Sequence, residues 1–255
     1  MTEPSMGPDV EVRFVLRIGG RPTPLCARVP ERASPVSALL PAVRALTDSV
    51  VAEATREVTA AGLSISCRAG CGACCRQPVP IAESEAFALA SLIRSWPAAR
   101  RRRVEARFRE SVAALEAAGV LARLRALDEI EDDDERQSIG REYFALGLAC
   151  PFLEDESCSI HADRPIACRE YLVTSAAAEC ADPGPERIDL VPVPIRPSVA
   201  LFRMTSEGMG ERSHPLLLVL ALERAARGSD AEAASTPGPQ LLERFVRGLA
   251  GGRDR

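Results

Sequence analysis

Apolar and polar residues alternate from Val10 to Val29, as VRFVLRI and then PLCARV, on either side of Gly19-Gly20. A period of two broken by a glycine pair predicts a β-hairpin. From Ser34-Pro35 the period lengthens. The pair reads as a cap and first turn of a helix that runs towards Ala61 and stops at Gly62. Pro41 falls in the early turns, where it kinks the helix or moves its true start. A glycine- and cysteine-rich loop follows from Cys67 to Gln77. Then come a short strand, Pro78 to Ile81, and a helix from about Glu83 to Trp96. Pro97 opens another helix, with Val104, Phe108, Val112 and Leu115 on one face. Its other face carries Arg100 to Arg103, which reads as solvated rather than phosphate-binding.

Gly119 breaks that pattern, and a further short helix reaches Leu127. Asp128 to Glu135 is an acidic connection whose carboxylates suit the start of the next helix. Residues 150 to 185 are irregular. Ile188 to Val193 and Val199 to Met204 read as strands. Ser213-His214-Pro215 starts an apolar helix ending near Arg227, and residues 228 to 239 form a loose linker. Gln240 to Leu249 is a last amphipathic helix. No internal repeat and no regular βαβ alternation is visible.

Composition narrows the class. With 255 residues, 46% apolar and 27% charged, the chain can bury a core. Its formal charge, 32 − 36 = −4, argues against a general nucleic-acid binder. All 32 cations are arginine, so no lysine is available for Schiff-base chemistry. No stretch reaches 18 apolar residues, and MTEPSMGPDV has neither a basic nor an apolar leader region. A cytoplasmic protein without a membrane partner is expected. In a reducing compartment, nine cysteines beside two histidines point to metal rather than to disulfides.

The cysteines fall in two groups. The first reads Cys67-x3-Cys71-x2-Cys74-Cys75. The second reads Cys150-Pro-Phe-Leu, Cys158-Ser-Ile-His161, then Arg164-Pro165-x2-Cys168-Arg169, with Cys180 beyond. Gaps of two and three residues let two thiolates converge on one soft cation, at about 2.3 Å for zinc. Gly70 and Gly72 allow tight turns, and Pro151 and Pro165 stiffen the second group. Adjacent side chains diverge, so Cys74 and Cys75 do not comfortably serve one tetrahedral ion. One is a spectator, or the pair belongs to a cluster or to two neighbouring metals. Cys26, in the hairpin, is expected to be an ordinary buried thiol, which leaves eight cysteines.

Cys67, Cys75 and Cys168 are each followed by arginine, a cation that would offset thiolate charge, although arginine is abundant enough for chance pairs. A disulfide framework fits neither the compartment nor the vicinal pair, and a redox relay lacks its usual βαβ context. His161 has the spacing of a mixed ligand pair with Cys158 but reads better as a supporting or surface residue. His214 is assigned no chemistry. Glu83 and Glu170 lie near the cysteine loops, yet spacing does not set them apart from a capping and a surface residue. The expected fold is a helix-dominated α+β protein, with an N-terminal hairpin and helices around a central metal-binding domain with two cysteine loops. Its parts are expected at 1–62, 63–190 and 191–255.

The motif Cys-x3-Cys-x2-Cys-Cys, with Cys-Pro-Phe-Leu and Cys-x-Ile-His-x3-Pro-x2-Cys-Arg, resembles the YkgJ-type cysteine-cluster family over residues 67 to 171. That resemblance implies a zinc- or iron-chelating domain with Cys67, Cys71, Cys74, Cys75, Cys150, Cys158 and Cys168 as ligands. Cys180 lies at the edge of the motif and completes the candidate metal set. His161 stands where the family often has tyrosine. Two functions follow: chelation of zinc or an iron–sulfur cluster in a structural or redox role, or an iron–sulfur-dependent enzyme. The second arises because the family includes flagellin lysine N-methylases, and because Cys67-x3-Cys71-x2-Cys74 has the spacing used by S-adenosylmethionine radical enzymes. No glycine-rich fingerprint of a conventional methyltransferase is present.

Overall fold

The computed structural model describes residues 8–127, 129–181, 188–206, 216–228 and 236–250. Gly19 and Gly20 take φ of +56° and +80°, the left-handed backbone that a two-residue hairpin turn requires. They join β1 (Asp9–Ile18) to β2 (Arg21–Pro30) as antiparallel partners, with Asp9 opposite Pro30 and Ile18 opposite Arg21. Leu16, Ile18, Ala27 and Val29 face inward. Cys26 is exposed, not buried as expected. With Ala27 and Val29 turned inward, the period of two sends Cys26 out.

Ser34 does not cap a helix. It pairs in a two-residue strand with Thr236, and its hydroxyl donates to the Arg32 carbonyl at 3.0 Å. Pro41 moves the helix start: a 3₁₀ turn over Val36–Leu39 precedes α1 (Leu40–Ala60), with Pro41 in its first turn. Pro80–Ile81 is a short strand, followed by α2 (Glu83–Ser95) and α3 (Ala98–Ala117). Arg100 does not lie on a purely solvated face. Its guanidinium stacks over Trp96, 3.9 Å from the ring centroid, and donates to the Ser159 carbonyl at 3.0 Å. Beyond α4 (Leu121–Arg125), the acidic run supplies Asp132 as the N-cap of α5 (Asp133–Ala145), its carboxylate accepting from the Asp134 amide. Asp128 lies outside the described residues.

α6 (Ile166–Glu170) leads to the largest departures from expectation. Ile188 to Val193 contributes only an isolated bridge between Val173 and Leu190 rather than a strand. Val199 to Met204, read as a strand, lies within α7 (Pro197–Ser206). Its start is fixed by the Glu170 carboxylate, which accepts from the Ser198 amide at 2.7 Å and the Ser198 hydroxyl at 2.5 Å. The expected apolar helix ending near Arg227 is mostly something else. Leu216–Leu217 pairs with Pro80–Ile81, Leu218–Leu220 is a 3₁₀ turn, and only α8 (Ala221–Ala226) is α-helical. Its expected start, with His214, lies outside the described residues, as does most of the 228–239 linker. The chain then enters α9 (Gly238–Ala250). No described helix is long and apolar enough to cross a membrane.

One core joins Leu16, Ile18 and Val29 of the hairpin to Val43 and Val50 of α1, Ile166 of α6, Leu201 of α7 and Phe245 of α9. A second packs Ile93, Phe108, Phe152, Ile160 and Leu218, and Phe152 meets Phe108 edge-on at 5.5 Å. Cys150 and Cys158 pack against this second core. The protein is thus a helix-dominated α+β fold, and part of its cysteine set rests directly on apolar packing.

Candidate metal centre

The first cysteine segment is a chain of turns. The Ser66 amide donates to Val173 O at 2.9 Å, tying its start to the far side of the second segment. Gly70 takes φ of +80°, and the Cys71 amide reaches Arg68 O at 3.2 Å. A 3₁₀ turn, Ala73–Arg76, carries Cys74 and Cys75, and the Cys75 amide donates to Gly72 O at 3.0 Å. A Cβ on Gly72 would collide with Glu156 Oε2 and Leu153 Cδ1, so glycine is what lets the two segments lie together here. Arg76 forms a bidentate pair with Glu156 at 3.0 and 2.7 Å. The vicinal pair meets the second segment through its backbone: the Cys150 amide donates to Cys75 O at 2.7 Å.

The second segment is anchored more deeply. Phe152 is buried, and its carbonyl accepts from both the amide and the hydroxyl of Ser159 at 2.9 Å. Leu153–Glu154 and Ser157–Cys158 form a miniature hairpin, whose turn puts Asp155 and Glu156 at φ of +48° and +55°. Cys168 sits in α6, and the α6 entry is held by buried Glu85, which accepts from the Ile166 and Ala82 amides at 2.8 and 2.7 Å. Cys180 is buried in a 3₁₀ turn, Ala177–Ala181, which returns the chain to the first segment. Gln77 spans that contact, donating to Tyr171 Oη at 3.2 Å and Cys180 O at 3.5 Å.

Cys74 raises the pKa of Cys67, Cys150, Cys158, Cys168 and Cys180, and its neighbour Cys75 is the largest influence on Cys74 itself. On one side stand Cys67, Cys71 and Cys180, which also act on one another. On the other stand Cys150, Cys158 and Cys168. Burial pushes the Cys67, Cys150, Cys158, Cys168 and Cys180 thiols above their ordinary value, Cys150 to about 12. Cys74 rises first through its bond with Cys75 and then through burial. No cysteine is in a disulfide. Among the described residues no three His, Cys, Asp or Glu side chains stand in a ready coordination geometry: the thiols are neighbours rather than a preset sphere.

The arginines that follow cysteines turn elsewhere. Arg68 is exposed, Arg76 pairs with Glu156, and Arg169 pairs with Asp48 at 2.7 and 2.9 Å. Arg164 favours the ionised forms of Cys67, Cys74 and Cys158, and Arg169 favours that of Cys158 as well. It also lowers the pKa of His161, which is exposed in the turn His161–Asp163. Sequence reasoning noticed Arg164 only as the residue before Pro165. Glu83 pairs with Arg224, and Glu170 is not a surface residue but the buried acceptor at the start of α7. Glu85 was also missed, although a Glu at the third position of a helix is the local signature of its bond to the Ala82 amide.

Thiols from two distant segments, gathered around one cysteine on the edge of a core, define a cysteine-rich chelating module. Residues 66–183 match the model of the CxxCxxCC family, described as a "putative zinc- or iron-chelating domain". The match extends past Cys168 to take in Cys180. No curated protein and no solved structure matches the chain.

Proposed function

We propose that Cys67, Cys71, Cys74, Cys75, Cys150, Cys158, Cys168 and Cys180 bind zinc or an iron–sulfur cluster, and that the bound metal ties the two cysteine segments together. One observation carries this reading: the two cysteine segments meet at the vicinal pair, where the Cys150 amide donates to the Cys75 carbonyl at 2.7 Å. The donor set fits a soft cation. Sulfur is the preferred ligand of zinc and of iron–sulfur clusters, and eight thiols suffice for two four-thiolate sites or for one cluster and a second ion. Half-buried thiols are costly to ionise without a cation, and a metal supplies that charge. Cys74 and Cys75 then serve different sides, with Cys74 inside the cluster and the Cys75 carbonyl gripping Cys150.

An all-thiolate zinc site without an open position acts structurally, whereas an iron–sulfur cluster would give the module an electron-transfer or redox-sensing role. Anaerobic purification, with elemental analysis and an absorption spectrum on one sample, tests the proposal. Zinc in a colourless protein selects the structural role. Iron and sulfide with broad absorption near about 400 nm selects the redox role and makes S-adenosylmethionine binding the next assay. A wild-type chain without bound zinc or iron overturns it, as does full metal content in Cys74→Ser.

A further inference from the structure

Away from the cysteines, three helical segments meet without filling the space between them. α2 and α3 are separated only by Trp96 and Pro97, and the segment from Leu218 to Ala226 packs against both. Between them lies a cavity of about 650 Å³. Small-molecule sites occupy about 300–1,000 Å³. The floor is apolar: Ala90 and Ile93 of α2, Phe108 and Val112 of α3, and Val219 and Leu222 line it. Ile93 and Phe108 belong to the second core, and Val219 to a third core with Leu121 and Ile139. These side chains are therefore held from behind.

The rim carries both signs of charge, and only the positive one is left over. Glu223 is held by Arg125 at 3.0 and 2.7 Å and by Arg227 at 2.6 Å. Glu105 faces Arg101 at 3.9 Å, and Glu116 stands within electrostatic reach of Arg125. Those three arginines lie outside the cavity. Arg94 and Arg109 line it and are exposed, and among the described residues neither pairs with a carboxylate. A free guanidinium fork matches a carboxylate or a phosphate. The floor offers no partner to a fully polar ligand such as a sugar, and the leftover charge disfavours a cation.

We propose that this cavity binds a small anionic amphiphile. An apolar chain or ring lies on Ile93, Phe108 and Leu222, and a carboxylate or phosphate head sits at the rim, where Arg94 and Arg109 stand. The floor supplies affinity, and the arginines decide which end of the ligand is recognised. The site is separate from the cysteines and does not depend on what they hold.

Isothermal titration calorimetry on the full chain tests this, with decanoate, decyl phosphate and decanol as probes below their micelle concentrations. At least one of the two anions should saturate at one per chain, and the tighter of them names the head. Decanol should bind at least about tenfold more weakly, since it lacks the charge. The double variant Arg94→Gln/Arg109→Gln should lose about tenfold for the anion and nothing for decanol. Ala113→Trp, at an exposed lining position, should abolish binding and leave urea stability unchanged. Arg102→Gln, exposed on α3 but outside the cavity, should match wild type. No saturable binding of either anion overturns the proposal, as does equal affinity for decanol. Wild-type affinity in the double variant or in Ala113→Trp overturns it too. A dimer that Ala113→Trp splits, seen by sedimentation, would give the groove to a second copy of the chain and overturn it as well.

Discussion

The two cysteine segments carry the same chemistry on opposite kinds of support. The first, Cys67 to Gln77, is held by turns, glycines and hydrogen bonds to its neighbour, and none of its residues belongs to an apolar core. The second is pinned by Phe152 and Ile160 in one core and Ile166 in another. The difference teaches a division of labour: the second segment is a wall fixed by packing, and the first is laid against it. Metal binding should therefore stiffen the first segment more than the second.

The comparison breaks most completely at Cys74. Cys74→Ser should remove most of the bound metal, more than Cys71→Ser or Cys168→Ser does, as read by elemental analysis. Cys26→Ser, on the outer face of the hairpin, should leave metal content unchanged. Next in size is the wall. Phe152→Ala should cost about 3–5 kcal/mol in urea unfolding of the stripped protein, because it empties the contact with Phe108 and Trp96. No substitution of comparable weight exists in the first segment, since none of its side chains fills a core.

The anchor of α6 gives a pH signature. Burial, opposed by its backbone hydrogen bonds, raises Glu85 from 4.5 to about 7. A raised folded-state pKa means that the folded protein holds the proton longer than the unfolded chain. The stabilisation is thus fully present below about pH 4.5 and lost as pH rises through 7, a change of about 3 kcal/mol. Urea unfolding of the stripped protein across that window should show the fall, and Glu85→Gln should flatten it. The smallest effect belongs to the seam. Gly72→Ala should cost about 1 kcal/mol, because Leu153 and Glu156 are displaced through flexible side-chain ends. Unchanged stability there would mean that the segments meet less closely than the seam implies.

What the sequence disclosed was local. The hairpin is legible because a period of two and a glycine pair act over neighbouring residues, and α2 and α3 because their apolar stripes do. Leu216 to Leu222 looked like one helix because its first two residues are set by pairing with Pro80 and Ile81, a partner far away in the chain. Val199 to Met204 looked like a strand because its cap, Glu170, also comes from outside the segment. The two cysteine segments were legible through their spacing, and the joint between them was not, since the Cys150–Cys75 backbone bond leaves no trace in the letters.

The hydrogen bond from the Cys150 amide to the Cys75 carbonyl has a consequence for assembly. It spans a long stretch of sequence without involving any sulfur. Bringing those distant points together is an entropic cost met during folding by apolar packing and backbone pairing. On the proposed reading, an ion would reach two segments already held side by side. Small zinc fingers collapse when stripped of their metal. Here the joint between the two segments is made by backbone and not by sulfur, so it is drawn independently of any ion.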